Sequence, residues 1–148
     1  MAACGKLGTP GASGDVVAVV DGDTIVVRGI GTVRYIGIDT PELHHPRKPV
    51  ERMARDALRA NSALVTGRRV RIVRDREARD AYGRVLGYVY VGGTIVNAAL
   101  VARGLARTLT IPPNTPHARL FSRLEGIARR RRVGLWGSGE GGVPWGHP

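Results

Sequence analysis

Apolar positions alternate with polar or small ones through the early part of the chain and recur at a helical period in three later stretches. From Asp15 onward, Val16-Val17-Ala18-Val19-Val20 reads as a first strand and Ile25-Val26-Val27-Arg28 as a second. Gly29-Ile30-Gly31 supplies a turn, and Thr32 to Ile38 forms the returning strand. Val50, Met53, Ala54, Ala57, Leu58, Leu64 and Val65 follow a helical period that Gly67 stops, which predicts an amphipathic helix over 50–65. Val70, Ile72 and Val73 lie among Arg69, Arg71 and Arg74, predicting a strand over 68–74 with a positive outer face. Tyr82 to Val91 reads as a long strand ended by Gly92-Gly93, after which Thr94 caps a short helix from Ile95 to Arg103, closed by Gly104. Beyond a proline-rich loop, a last helix is expected from His117 to Arg132, burying Leu120, Phe121, Leu124, Ile127 and Ala128. Trp136 is the last expected contact of the ordered domain.

This order of elements predicts a mainly β protein with helices (α+β), built as a five-stranded oligonucleotide-binding β-barrel flanked by about three α-helices. The expected organisation is a flexible leader over 1–14, one domain over 15–136 and a flexible tail over 137–148. A chain of 148 residues is long enough for a core without disulfides, and its single cysteine, Cys4, excludes an internal disulfide framework. Ala2-Ala3-Cys4-Gly5 resembles the downstream half of a bacterial lipoprotein processing site, which makes Cys4 a candidate for lipid attachment if the gene starts upstream. No apolar run approaches membrane-spanning length, and no hydrophobic signal segment precedes the domain.

Charge changes the picture. The net charge is +11, and every base except Lys6 and Lys48 is arginine. That excess points to a polyanionic partner, because the planar guanidinium suits phosphate better than an ammonium does. Against this background, Asp21, Asp23, Asp39 and Glu42 gather four carboxylates around Arg34 within 22 residues. The hairpin would bring Asp23 and Asp39 towards the same end of adjacent strands. Carboxylates brought together repel unless a positive group separates them, so a hard divalent cation with oxygen ligands fits. Calcium or magnesium suits such a set, whereas zinc would require Cys or His at ligand spacing. Singly, Asp21-Gly22-Asp23 can be a turn and Asp39 a cap before Pro41; jointly the coincidence is hard to sustain. The His44-His45 pair sits in a proline-punctuated loop and reads as solvated. Arg84 follows Gly83, where backbone can approach a ligand closely, and is a second phosphate candidate or else a solvated strand residue.

Val20-Asp21-Gly22-Asp23-Thr24, Arg34, Ile38-Asp39-Thr40-Pro41-Glu42, His45-Pro46-Arg47-Lys48, Tyr82-Gly83-Arg84, Val96-Asn97 and Gly104-Leu105-Ala106 follow the order and spacing of the staphylococcal (thermo)nuclease family. The resemblance covers Val16 to Trp136. It implies a barrel that cleaves DNA and RNA with Ca2+, leaving 3′-phosphates. By position, Asp23, Asp39 and the Thr40 carbonyl resemble the calcium ligands, with Asp21 an indirect contributor. Glu42 resembles the family's proposed general base, and Arg34 and Arg84 its phosphate-binding arginines. Tyr82, Leu86 and Lys48 match substrate-binding positions. A secreted or envelope location and a monomer without stable protein partners are also implied.

The chain departs from the family in one region. Family tyrosines that stack the nucleotide fall within the segment matching Arg107 to Pro113, where this chain has none, and Ala81 stands in place of a lysine near the terminal phosphate. Since a stacked base is worth about 1–3 kcal/mol, weaker binding and altered base preference are expected. A catalytically inactive nucleic-acid-binding barrel is the alternative function, and an envelope-associated interaction domain a third.

Overall fold

A computed structural model describes residues 11–137 of the chain. Strand β1 (Gly11–Asp21) organises the sheet because it serves two partners in succession. Its first half pairs with β5 (Arg69–Val73) and its second half with β2 (Thr24–Val27), both antiparallel. Register shifts between Val16 and Ala18 and between Val19 and Asp21 give it the irregularity that bending requires. β2 pairs with β3 (Gly31–Tyr35), and β5 with β6 (Val85–Val91). A parallel pairing of Val33–Tyr35 with Val85–Gly87 joins β3 to β6 and closes the five-stranded barrel. Outside it, β4 (Ile38–Asp39) pairs with β8 (Arg107–Thr108), and β7 (Thr94–Ile95) folds back on β6.

The barrel is filled by alternate positions of its strands, including Ile25, Val27, Val33, Val70, Ile72 and Val89, all buried. These are β-branched residues, which suit a pleated surface, and burying each contributes roughly 1.5–3 kcal/mol. Helices α1 (Ala54–Val65), α2 (Val96–Ala102) and α3 (Ala118–Arg131) cover the outside, followed by a 3₁₀ turn at Gly134–Trp136. Two buried asparagines fix the first two of them. Asn61 of α1 donates to the Asp21 carbonyl and accepts the Tyr35 hydroxyl, while Asn97 of α2 accepts the Val89 N–H and donates to the carbonyls of Ile36 and Gly87. No helix among the described residues is long and apolar enough to cross a membrane.

Several boundaries differ from expectation, each for a local reason. β1 starts at Gly11, not Asp15, so the last four residues of the expected leader pair with β5. Gly11-Ala12-Ser13-Gly14 carry no hydrophobic alternation, but their backbones complete the ladder. Cys4 and residues 138–148 lie outside the described residues. The returning strand breaks after Tyr35 because Gly37 adopts φ +81°, where the Phe121 ring packs in the space a Cβ would take. α1 begins at Ala54, since Met53 is left-handed and Glu51 is drawn into bonds with the Glu42 loop. Thr94 caps no helix; it pairs with Val91 across the Gly92-Gly93 turn, and α2 has no side-chain cap. Tyr82 to Arg84 form a turn, not the start of β6. Leu120 is 37% exposed, and the buried side of α3 centres on Phe121 and Ala128.

Candidate active site

The acidic cluster begins at the turn between β1 and β2. Asp21 Oδ1 accepts the Asp23 N–H at 3.1 Å, a local bond that tightens the turn. Gly22 is required there, because a Cβ would lie within 3 Å of Ala57 and Thr40. Helix α1 therefore packs directly behind the two aspartates. Asp23 is buried, 5% exposed, and its carboxylate accepts the Thr24 hydroxyl and the Thr40 N–H. The second of these bonds ties the Asp39-Thr40 segment to the Asp23 turn.

Arg34 joins the two acids. Its Nη2 lies 3.3 Å from Asp23 Oδ2 and 3.2 Å from Asp39 Oδ1, and its Nη1 donates to the carbonyls of Tyr35 and Ile38. Asp23, Asp39 and Arg34, read from the sequence as one constellation, are thus one constellation in space. Glu42 lies near enough to raise the Asp39 carboxyl, but its own carboxylate is exposed and accepts the His44 N–H, while its backbone N–H donates to Glu51 Oε1. Glu51, which carries no motif signature, braces that loop.

Negative charge is in excess here. Burial, then the Asp23 charge, pushes Asp21 up to about 7. Burial also raises Asp39 to about 6, against the lowering effect of Arg34. Carboxylates crowded this way offer hard oxygen donors and invite a divalent cation. Among the described residues no three His, Cys, Asp or Glu side chains converge as a ready ligand set. A cation at this place would rest on the carboxylates of Asp23 and Asp39, with backbone and water oxygens completing its shell.

Next to the cluster opens a cleft of about 350 Å³, lined by Arg34, Arg84, Tyr82 and Leu86 and walled by Leu109 and the Ile111–Asn114 stretch. The parallel β3–β6 register sets Arg34 beside Leu86, which places both on one face. Arg84 reaches the same cleft from the turn before β6. Its Nε lies 2.6 Å from Asp80 Oδ2, and Asp80 Oδ1 accepts the backbone N–H groups of both Tyr82 and Arg84. Asp80 is a positioning residue that the motifs did not reveal. So is buried Asn114, whose amide exchanges two hydrogen bonds with the Glu77 backbone and ties one wall of the cleft to the other. Either could be suspected only from the turn chemistry of Asp and Asn in loops.

Tyr82 is 86% exposed, and its ring lies 5.5 Å from the Arg84 guanidinium carbon. Ala81 and the apolar Leu109, Ile111, Pro112 and Pro113 line the cleft with it. Lys48 is exposed on the loop after His45, whose Nδ1 accepts its N–H, and it is not among the residues lining the cleft.

The chain matches the family model for staphylococcal nuclease homologues over residues 32–138. It is 38% identical over 121 residues to a thermonuclease of Staphylococcus intermedius, covering 80% of this chain and 72% of that one. A thermonuclease of Staphylococcus hyicus is 34% identical over 124 residues, covering 82% and 73%. The SPbeta prophage-derived endonuclease YokF of Bacillus subtilis is 39% identical over 122 residues, covering 79% of this chain but only 41% of that longer protein.

Proposed function

The chain belongs to the staphylococcal nuclease family, and on that premise we propose that it is a calcium-dependent nuclease hydrolysing DNA and RNA with little sequence specificity, leaving 3′-phosphate products. The observation that carries this reading is Arg34, which contacts the Asp23 and Asp39 carboxylates and lines the same cleft as Arg84. A phosphodiester is hydrolysed only if water is activated and the added negative charge on phosphorus is neutralised.

Arg84, through its Nη groups, and Arg34, through the Nη2 that a cation on Asp23 and Asp39 would release, would donate to the non-bridging oxygens, and no proton need move for them to act. A calcium ion held by Asp23, Asp39 and the Thr40 carbonyl would add positive charge at the same phosphate. Glu42 takes the proton from the attacking water as the oxygen–phosphorus bond forms. The bond to the 5′-oxygen then breaks, that oxygen takes a proton from solvent, and the phosphate stays on the 3′ side. The apolar wall accepts a base without pairing to its edges, which fits a sequence-tolerant enzyme.

Incubating the purified protein with plasmid DNA and with RNA, in calcium or in chelator, tests the proposal. Cleavage in calcium alone supports it. Retarded migration without cleavage would instead favour a nucleic-acid-binding barrel.

A further inference from the structure

Helix α3 carries a feature that neither the fold nor the cleft uses. Phe121 and Ala128 are buried on one side, while Arg119, Arg123 and Arg130 are exposed on the other. Positions 119, 123, 126 and 130 recur every three or four residues and so fall in one line along the outer face. Among the described residues no acidic side chain pairs with any of these three arginines. The only acid of the helix, Glu125, is turned to Arg129 and to the Thr108 N–H.

Like charges four residues apart destabilise a helix, and so does a glycine in its interior. Gly126 lies in the middle of the line, yet a Cβ there would meet only Arg130 Nη1 at 3.5 Å, an ordinary contact. Packing therefore does not exclude alanine, and neither the repulsion nor the glycine serves the fold. Together they make a positive strip about 16 Å long, flat at its centre, against which a chain of phosphates can lie closely. The strip follows the cleft along the chain: its first arginine, Arg119, stands five residues after Asn114, the last residue of the Ile111–Asn114 wall.

We propose that the outer face of α3 is a second nucleic-acid contact, a track for the phosphate backbone of a strand that extends beyond the cleft. The identity of the polyanion rests on the nuclease reading. The consequence is a preference for long polymers over short ones that the cleft alone would not produce.

The test compares the full chain with its Arg119→Gln/Arg123→Gln/Arg130→Gln variant. Binding of a single-stranded oligonucleotide long enough to span cleft and helix is titrated against salt with chelator present. Loss of three phosphate contacts should reduce the slope of log K against log salt by about 2. With calcium present, KM for long DNA should rise several-fold at unchanged kcat, while hydrolysis of a dinucleotide-sized phosphodiester stays the same. An unchanged salt slope overturns the proposal, as does an equal loss on the dinucleotide. Gly126→Ala should raise Tm and weaken long-strand binding; unaffected binding would remove the glycine's role. Loss of binding to anionic phospholipid vesicles without loss of oligonucleotide binding would reassign the face to a membrane and overturn the proposal. A wild-type protein that cleaves nothing defeats the nuclease reading, but the salt titration still decides the fate of the strip.

Discussion

Asp80 and Arg84 are locked together: one carboxylate oxygen meets Arg84 Nε at 2.6 Å and the other accepts the N–H groups of Tyr82 and Arg84. A single side chain therefore fixes both the turn and the guanidinium that it aims. Asp80→Ala should lower kcat/KM by up to about 10²-fold through misplacement of Arg84, with circular dichroism unchanged. Wild-type kinetics in that variant would mean that Arg84 finds its place unaided.

The same bond has a pH signature. Burial alone would raise the Asp80 carboxyl, but the Arg84 and Tyr82 N–H groups and the Arg84 charge outweigh it and hold it below its ordinary 3.8. A carboxyl depressed in the folded state contributes stability above 3.8 and loses it as pH falls through the lower folded value. The Arg84 Nε–H signal in NMR should thus remain protected from exchange at pH 4. Its loss well above that pH would contradict the bond.

Glu42→Gln keeps the size of the side chain and removes its capacity to accept a proton. Turnover should fall by about 10² to 10⁴ while DNA affinity is nearly retained. An equal loss of both, measured by single-turnover kinetics and by binding in chelator, would take Glu42 out of the chemistry.

Arg34→Lys preserves charge and loses geometry. One ammonium cannot replace a guanidinium that bonds two carbonyls and two carboxylates, so cleavage should be nearly abolished. Chemical denaturation should show a stability loss of about 1–3 kcal/mol from the carbonyls left without a donor. Near-normal rates would reduce Arg34 to steering.

Asp21 at about 7 and Asp39 at about 6 both lie above the ordinary 3.8, so the cation-free protein takes up protons at these groups on folding. Their stabilising share is complete below 3.8 and is lost as pH rises through about 6 and about 7. Calcium should therefore raise Tm more at pH 8 than at pH 5, and chelator should reverse the gain. Equal shifts at both pH values would argue against these carboxylates as its seat.

The acidic cluster was legible because its members stand close in sequence, with a hairpin to fold them together. Asp23, Asp39 and Arg34 needed no distant contact to be suspected. Asp80 and Asn114 were not legible, nor was the bonding of the motif residue Asn97, since each is defined by hydrogen bonds to backbone groups whose positions only the folded chain determines. Periodicity located the strands and helices yet missed the start of β1, where Gly11 to Gly14 pair through backbone alone. It also placed Leu120 with its apolar neighbours, although the face of α3 that meets the barrel is narrower than the run of apolar letters.

The seam that closes the barrel sets Arg34 beside Leu86, residues far apart along the chain. A nascent polypeptide emerging from the ribosome cannot assemble the cleft until β6 has been synthesised and has docked. The cleft is therefore a late product of synthesis, and a fragment ending before Leu86 has neither the seam nor the wall from Leu109 to Asn114.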